Sequence, residues 1–561
     1  MWRFDCGTMG KRILTAIGVV MQTTFMLSAS TSAVVADGAA EFRIDAARPG
    51  RTLPNTQQMI CVWSLPKDAF RNVKRNSECD VLEFAEFVEV MGATGGSYGR
   101  DCFRRPADRN VTDDYDFTQL VEGCRGILDV GLKPYLKLGN VPIKLSSNAS
   151  IGSFGMNIRP PDDYSAYGRY MTACADALLA AFGREELCRW RFAVLTEFEN
   201  GVWFKDVSGD PEKTFRAYCR LYETTVETFV KRISPDLTIG VHAQASTEGL
   251  WDERLFIKYV AERNLPLRFV TVSFYDRMPG APATGMSLAA TIAHLRRAAE
   301  EGGLTNLVYG VDEGRVLWGR TRSKANDNLF LRIVGDTYQA AYDARTVKRL
   351  FDSGADWFAS WGYLSGPNVF FEGLPSVSFH VAKEASQFKG MKRLPVVRTG
   401  GAAKEIEVDA VAAISEEGRR VRIMAYAFKD DLFATGVLPM CFSVAVPQEW
   451  KGNRVTLESC LIDDDANWFD EWRAERRRRG VLDDHFAWSP DDPAPMSVFG
   501  LKSAADREMF KTELESRFRE CSKPKIESIR IKADQNGEVQ FARVLSANAV
   551  LFAELSIGSK P

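Results

Sequence analysis

The amino-acid sequence predicts an α/β chain in which a (β/α)8 TIM barrel is followed by a C-terminal antiparallel β-sandwich domain. Three observations carry this expectation. Short apolar runs alternate with segments of helical spacing eight times in unbroken order, as a closed parallel barrel requires. Helical segments stop at glycines, at Gly131 and at Gly302-Gly303, just before the next apolar run. Beyond about residue 383 the pattern changes to alternation of apolar and polar residues, the mark of strands with one wet face.

A chain of 561 residues is too long for one core, so the barrel is assigned to residues 58–383 and the sandwich, with a helical insertion, to 384–561. Residues 1–36 read as a secretory signal: Lys11 and Arg12 precede an apolar segment, 13–27, and a small-residue stretch, 28–36. That segment is shorter than the roughly 20 residues a spanning helix needs, so a secreted or periplasmic protein is expected, with no membrane partner after the signal is removed. Residues 37–57 form a segment placed to pack on the C-terminal domain. The 72 basic and 74 acidic residues nearly cancel, which excludes a whole-molecule field for nucleic acid and favours a small or neutral substrate. Eleven cysteines include Cys6, inside the signal; the other ten are open to pairing in an oxidising compartment or to burial as free thiols. Four histidines, His242, His294, His380 and His485, are too scattered for a metal site, and no cofactor is expected.

In chain order the expected barrel strands are 59–64, 87–92, 133–138, the run that ends at Glu197, 237–242, 269–274, 306–313 and 357–361. Helical spacing marks 117–130, 164–182, 215–233, 288–301 and 329–352. Glycines at 95, 96 and 99 resemble a phosphate cradle, but no Lys-Ser or Lys-Thr follows, so they are read as turn residues. The later strands, 422–427, 442–446, 454–462, 526–531, 539–544 and 549–557, alternate, and turns such as Asp534-Gln535-Asn536-Gly537 point to antiparallel sheet.

Chemistry concentrates where two apolar runs end in acid. The run Phe192-Ala193-Val194-Leu195-Thr196-Glu197-Phe198-Glu199 is apolar until it leaves the sheet, and the run from 306 closes on Asp312-Glu313. Catalytic groups of such barrels sit at the C-terminal ends of strands, here the fourth and seventh. Two carboxyls facing each other suit glycoside hydrolysis, one protonating the leaving oxygen and the other attacking the anomeric carbon or activating water. Glu199, two residues further on, is a rival for the first role if the strand continues. Aromatic residues at the same rim, Trp63, Trp203, Phe204, Phe274, Tyr275, Trp318, Trp361 and Tyr363, offer flat faces for sugar rings, although packing is the common use of such side chains.

These residues resemble glycoside hydrolase family 39, which includes β-xylosidases and α-L-iduronidases. The family's fourth strand reads Phe-Glu-Val-Trp-Asn-Glu-Pro-Asn followed by Phe-Trp, and 192–199 with Trp203-Phe204 keeps that register. Tyr115-Asp116-Phe117 through Gly131-Leu132-Lys133-Pro134-Tyr135-Leu136 to Pro142, and Val272-Ser273-Phe274-Tyr275, are similar to its third unit and sixth strand. Past the barrel, Leu461-Ile462-Asp463-Asp464-Asp465-Ala466-Asn467-Trp468 with Trp472 is similar to an Ile-Asp-x-x-x-x-Asn segment followed by Trp. The resemblance implies a retaining hydrolase that removes a terminal sugar from oligo- or polysaccharides, with Glu197 as acid/base and Glu313 as nucleophile. Tyr275 would orient Glu313, and His242, Trp361 and Trp203 would line the carbohydrate pocket. Four departures stand out. Thr196 replaces an Asn that contacts the sugar 2-hydroxyl, Phe198 replaces Pro, Tyr275 stands where many members have His, and the Arg near the second strand is missing, with Arg100 as its substitute. Either the sugar differs at C2, or Asn140 or Gln244 makes the lost contact. A carbohydrate-binding barrel without catalysis is the alternative that these departures leave open.

Overall fold

The computed structural model describes residues 38–62, 81–97, 99, 101–277, 285–318, 337–360, 374–400, 405–431, 434–468, 471, 474–475, 478, 496–497, 500–501 and 504–558. The expected leader, 1–36, lies outside them. The first strand, β1 (Ala40–Asp45), belongs to the sandwich, and the chain then lays down eight parallel strands in sequence order. These are β2 (Met59–Val62), β3 (Phe87–Val90), β4 (Lys133–Leu138), β5 (Arg191–Val194), β6 (Thr238–Ala243), β7 (Phe269–Arg277), β8 (Val308–Trp318) and β9 (Phe358–Ser360). The ring is drawn together where the Phe358 N–H donates to the Thr56 carbonyl at 3.0 Å. Close packing inside demands glycine at one point: a Cβ on Gly310 would lie 2.4 Å from the Trp357 indole.

Helices α1 (Thr118–Asp129), α2 (Tyr164–Leu187), α3 (Pro211–Arg232), α4 (Glu253–Glu262), α5 (Leu288–Glu301), α6 (Thr337–Ser353) and α7 (Val377–Ser386) connect or follow the strands. Asp163, Asp210, Asp252, Ser287 and Ser376 cap five of them, each side chain accepting from N–H groups that the first helical turn leaves without partners. Pro211 opens α3, where its missing N–H costs nothing.

The barrel interior holds a charged cluster. Lys137 on β4 is fully buried; its ammonium lies 3.1 Å from Glu89 on β3 and pairs more closely still with Asp312 on β8. Asp312 also accepts from the Tyr135 hydroxyl at 2.6 Å, Thr271 Oγ1 at 2.5 Å and the Trp357 indole at 3.0 Å. Burial opposes charge on Asp312, but Lys137 and these donors hold it at about 2. Burial, then the Asp312 charge, pushes Glu89 well above the ordinary carboxylate range. The cluster is therefore neutral as a whole: one ammonium, one carboxylate and one carboxylic acid.

The sandwich consists of a six-stranded sheet in the order β10 (Lys392–Leu394), β12 (Glu407–Ile414), β13 (Arg420–Phe428), β20 (Val550–Ser556), β15 (Arg454–Ile462) and β18 (Lys525–Lys532). It faces a four-stranded sheet of β11 (Val396–Gly400), β1, β14 (Val437–Ala445) and β19 (Glu538–Ser546) across an apolar layer that includes Phe42, Phe442, Ile423 and Leu555. A short ladder, β16 (Met496–Ser497) with β17 (Gly500–Leu501), and two helices, α8 (Ala504–Met509) and α9 (Glu515–Cys521), lie in the insertion. Every ladder between strands of 384–561 is antiparallel, as expected, and β1 joins from outside that range, parallel to β14. Two sequence expectations need adjusting. The turn at 534–537 does not join partners; it passes from β18, paired with β15, to β19, paired with β14 in the other sheet. β13 is buried along nearly its whole length rather than on alternate residues, because α6 and α7 cover the face turned away from the sandwich interior. All nine cysteines among the described residues are free thiols.

Trp468 and its neighbours clasp the two parts of the unit. The Trp468 indole donates to the Pro375 carbonyl before α7 at 3.0 Å, and Thr337, opening α6, donates to Asp464 at 2.8 Å. Arg277, ending β7, pairs with Asp430 after β13 at 2.6 Å.

Replacing Lys137 by Met is expected to destabilise the protein by about 3–5 kcal/mol in denaturant unfolding, since it leaves the Asp312 charge buried without its partner. Glu89→Gln, which keeps the neutral form already present, is expected to cost less than about 1 kcal/mol. Equal losses in the two variants contradict the charge assignment.

Candidate active site

Strand β5 ends at Val194, and the next residues do not continue it. Leu195 and Glu197 adopt left-handed backbone angles, φ 64° and 44°, which cost non-glycine residues about 1–3 kcal/mol each and persist only where the surroundings impose them. Here the Leu195 N–H donates to the Leu138 carbonyl at 2.7 Å and the Phe198 N–H to the His242 carbonyl at 3.0 Å, pinning the segment to both neighbouring strands. Phe198, in the position where the family pattern has Pro, is fully buried and stacks on Tyr218 at 4.9 Å. The turn separates the two acids. Glu197 meets Asn200 Nδ2 at 2.7 Å and the Trp203 indole N–H at 3.1 Å, both on Oε2. Glu199 is buried with no exposed surface and accepts from the Ala245 N–H at 2.8 Å.

Glu313 owes its direction to an irregularity in β8. The β7–β8 register steps from Val272 opposite Val311 to Ser273 opposite Glu313, leaving Asp312 as the extra residue of a bulge. Strict alternation sends neighbouring side chains to opposite faces; the bulge lets Asp312 reach Lys137 in the interior while Glu313 reaches the pocket end. Ser273 Oγ donates to Glu313 Oε1 at 3.1 Å, and the Tyr275 hydroxyl and the Glu197 carboxyl also hydrogen-bond Glu313. Burial and then repulsion by Glu197 push Glu313 up to about 8 against the Tyr275 and Ser273 donors.

The structure therefore brings together Glu197, Glu313, Tyr275 and Trp203, whose ring stacks on Phe154 at 4.7 Å. His242 does not open onto the pocket: it is fully buried and meets Ser273 Oγ at 2.9 Å, one residue removed from Glu313. Thr196 and Asn140 are buried too, and neither Thr196 Oγ1 nor Asn140 Oδ1 has a hydrogen-bond partner among the described residues. Gln244 donates to Thr247. Trp361, Trp63, Tyr363 and Arg100 lie outside the described residues. Asn200, Ser273 and Phe154 were not singled out from the sequence. Ser273 had one signal, its place two residues before Tyr275 on the same face of a strand.

Among the described residues, two groups of acids and histidine place ligand atoms close enough to hold a cation. Glu89, His242 and Asp312 present ligand atoms within 4.8 Å of one another, but the Lys137 ammonium lies among them and supplies the charge. Asp252, Glu253 and His294 form the other, in which Asp252 is bound by Arg254 and Glu253 by His294 at 2.5 Å. Beside Tyr275, between the β7 end, α6 and the sandwich, lies a cavity of about 330 Å³.

The chain is 24% identical over 284 residues to a β-xylosidase of Geobacillus stearothermophilus, an overlap of 49% of this chain and 53% of that protein. It spans about half the length of the curated relatives it matches. Its fold resembles a monomeric β-xylosidase from Caulobacter crescentus, with a TM-score of 0.63 and 16% identity over 92% of this chain and 99% of the other. The family 39 enzyme from Xanthomonas axonopodis pv. citri gives 0.65 and 15% over 93% and 98%. The model for Glycosyl hydrolases family 39 matches residues 100–404, more than half of the chain and every strand from β4 to β9, so the chain belongs to glycosyl hydrolase family 39.

Proposed function

We propose that this protein is a secreted or periplasmic retaining glycosidase that removes a terminal sugar from oligo- or polysaccharides by double displacement. The observation that carries the reading is the pairing of Glu197, just past the end of β5, with Glu313, within β8, two carboxyls near enough for the charge of one to bear on the other. Inverting enzymes keep such groups about 6.5–9.5 Å apart to admit a water, while retaining enzymes hold them about 5–5.5 Å apart, so two carboxyls that bear on each other this strongly favour direct attack. In the first step Glu197 donates its proton to the glycosidic oxygen as the Glu313 carboxylate attacks the anomeric carbon. The C–O bond to the leaving group breaks and an ester to Glu313 forms. In the second, Glu197 takes a proton from water, whose oxygen attacks the same carbon and releases Glu313. Ser273 and Tyr275 donate to Glu313, stabilising its charge whenever it is free. No cofactor enters this scheme. The two β-xylosidases that the chain resembles make β-xylosides the first substrates to try, and Lys11, Arg12 and the apolar segment after them support export.

One observation favours the other reading, a carbohydrate-binding barrel without catalysis: the Thr196 hydroxyl is buried without a partner among the described residues where the family pattern has an Asn amide. A panel of aryl xyloside, arabinoside, galactoside, fucoside and uronide decides between them. Turnover of at least one is expected, with a first-formed product of retained anomeric configuration by NMR; binding without turnover on any of them, oligosaccharides included, establishes the alternative.

Glu197→Gln is expected to slow substrates with poor leaving groups by about 10²–10⁴-fold, to spare activated ones and to regain rate with azide. Glu199→Gln is expected to show no azide rescue, because Glu199 faces the Ala245 N–H. The opposite pattern transfers the acid/base role to Glu199.

Glu313→Gln is expected to abolish turnover and yet raise stability. Folding lifts the Glu313 carboxyl from an ordinary 4.5 to about 8, so its contribution to stability is full below about 4.5 and is lost as pH rises to about 8. The gain in Tm from Glu313→Gln is therefore expected to be larger at about pH 8.5 than at about pH 4.5; a gain independent of pH contradicts the assignment.

A further inference from the structure

His242 and Ser273 form a chain of hydrogen bonds that ends on Glu313, and its donor directions are decided by what surrounds it. Ser273 Oγ has a single hydrogen. To donate it to Glu313 Oε1 at 3.1 Å, it must accept from His242 Nε2 at 2.9 Å, which requires the Nε2–H form of the ring. The nearby Asp312 does not compete for that hydrogen. Its Oδ2 lies 3.9 Å from His242 Nδ1 and already accepts from Lys137, Tyr135 and Thr271. Nδ1 itself is buried without a hydrogen-bond partner among the described residues. Burial, then the Lys137 charge, keeps the ring neutral.

We propose that His242 and Ser273 are positioning residues that aim one hydrogen-bond donor at Glu313 and favour its ionised form. The proposal rests on the reading of Glu313 as nucleophile, and it moves His242 from a sugar contact to a group acting through Ser273. The other groups that bear on Glu313 come from every side. Glu197 at the β5 end repels its charge and Tyr275 on β7 donates to it, with Arg315 beside Tyr275. Cys61 on β2 and Glu89 on β3 also lie within electrostatic reach. Asp312 and Lys137 oppose each other. Ser273 and Tyr275 both donate to Glu313, and Ser273 does so only while His242 presents Nε2–H.

The test reads the carboxyl itself, by ¹³C NMR of protein labelled at the glutamate carboxyl carbon, with Glu313→Gln assigning the signal. Loss of a hydrogen bond to an ionised group raises its titration midpoint, so Ser273→Ala is expected to move Glu313 upward by about one to two pH units. Ser273→Thr, which keeps the hydroxyl, is expected to restore the parent value. His242→Phe is expected to move the midpoint in the same direction, and His242→Gln, whose amide supplies an N–H, to reverse part of that shift. In an active enzyme the acid limb of kcat/KM follows the same displacement, with kcat falling more than KM changes. A midpoint in Ser273→Ala within about 0.3 unit of the parent overturns the proposal. If Ser273→Ala does not fold, ¹⁵N NMR of the parent decides: with four histidines in the chain, His242→Gln assigns the ring, and an Nδ1–H form overturns the relay. A shifted carboxyl in a protein that turns over no glycoside leaves the relay standing and removes the glycosidase reading.

Discussion

The site depends on a single ammonium group buried in the barrel. Lys137 neutralises Asp312 at the residue before Glu313, and the donors around Asp312 use up its remaining lone pairs. An unpaired carboxylate in that interior costs several kcal/mol, so the cluster forms complete or not at all. Its completeness anchors β8 to β4 and β7 through side chains as well as through the sheet. It also leaves His242 neutral, with its Nε2 side turned to Ser273. Support for Glu313 is therefore built from the bottom of the barrel upward, through groups that touch no solvent.

Two departures from regular backbone then aim the acids. At β5 a left-handed turn through Leu195 and Glu197 swings the Glu197 carboxyl to Asn200 and Trp203 and away from the direction that Glu199 takes. At β8 the bulge at Asp312 allows two successive residues to point inward at different depths. Both are local strains offset by buried packing, Phe198 against Tyr218 in one case and the Asp312 donors in the other. Strain of this kind gathers where a side chain must occupy a position that regular structure does not offer.

The sandwich contributes from outside. Helix α6 follows the strand that carries Glu313 and packs its apolar face on the six-stranded sheet, so that β13 is covered on both sides. Trp468 and Asp464, from the segment that resembles a family 39 motif, fasten α7 and α6 to that sheet. Arg277 at the end of β7 reaches Asp430 at 2.6 Å. The strands bearing Ser273, Tyr275 and Glu313 are thus the ones the second domain braces.

The order of the barrel strands was legible in the sequence, as was an acid just past the fourth; the seventh runs on from its expected stop at 313 to Trp318, so Glu313 lies within it. A strand buried on both faces must be apolar until it leaves the sheet, and that pattern is local. The helix caps Asp163, Asp210 and Ser287 are local for the same reason, since each acts within a few residues of itself. What the sequence could not settle depends on neighbours distant in the chain. Alternation puts Glu199 on the side of Glu197, but the strand stops at Val194 and the pairing of Phe198 with His242 turns the two apart. His242 looks like a pocket residue until the β6–β7 register sets it beneath Ser273. The half-buried pattern read at 422–427 gave way because α6 and α7 cover the second face of β13, and the turn at 534–537 crosses between sheets because its flanking strands find their partners elsewhere. Periodicity records which face of an element is buried; which residue meets which is decided only when register, bulges and packing bring distant segments together.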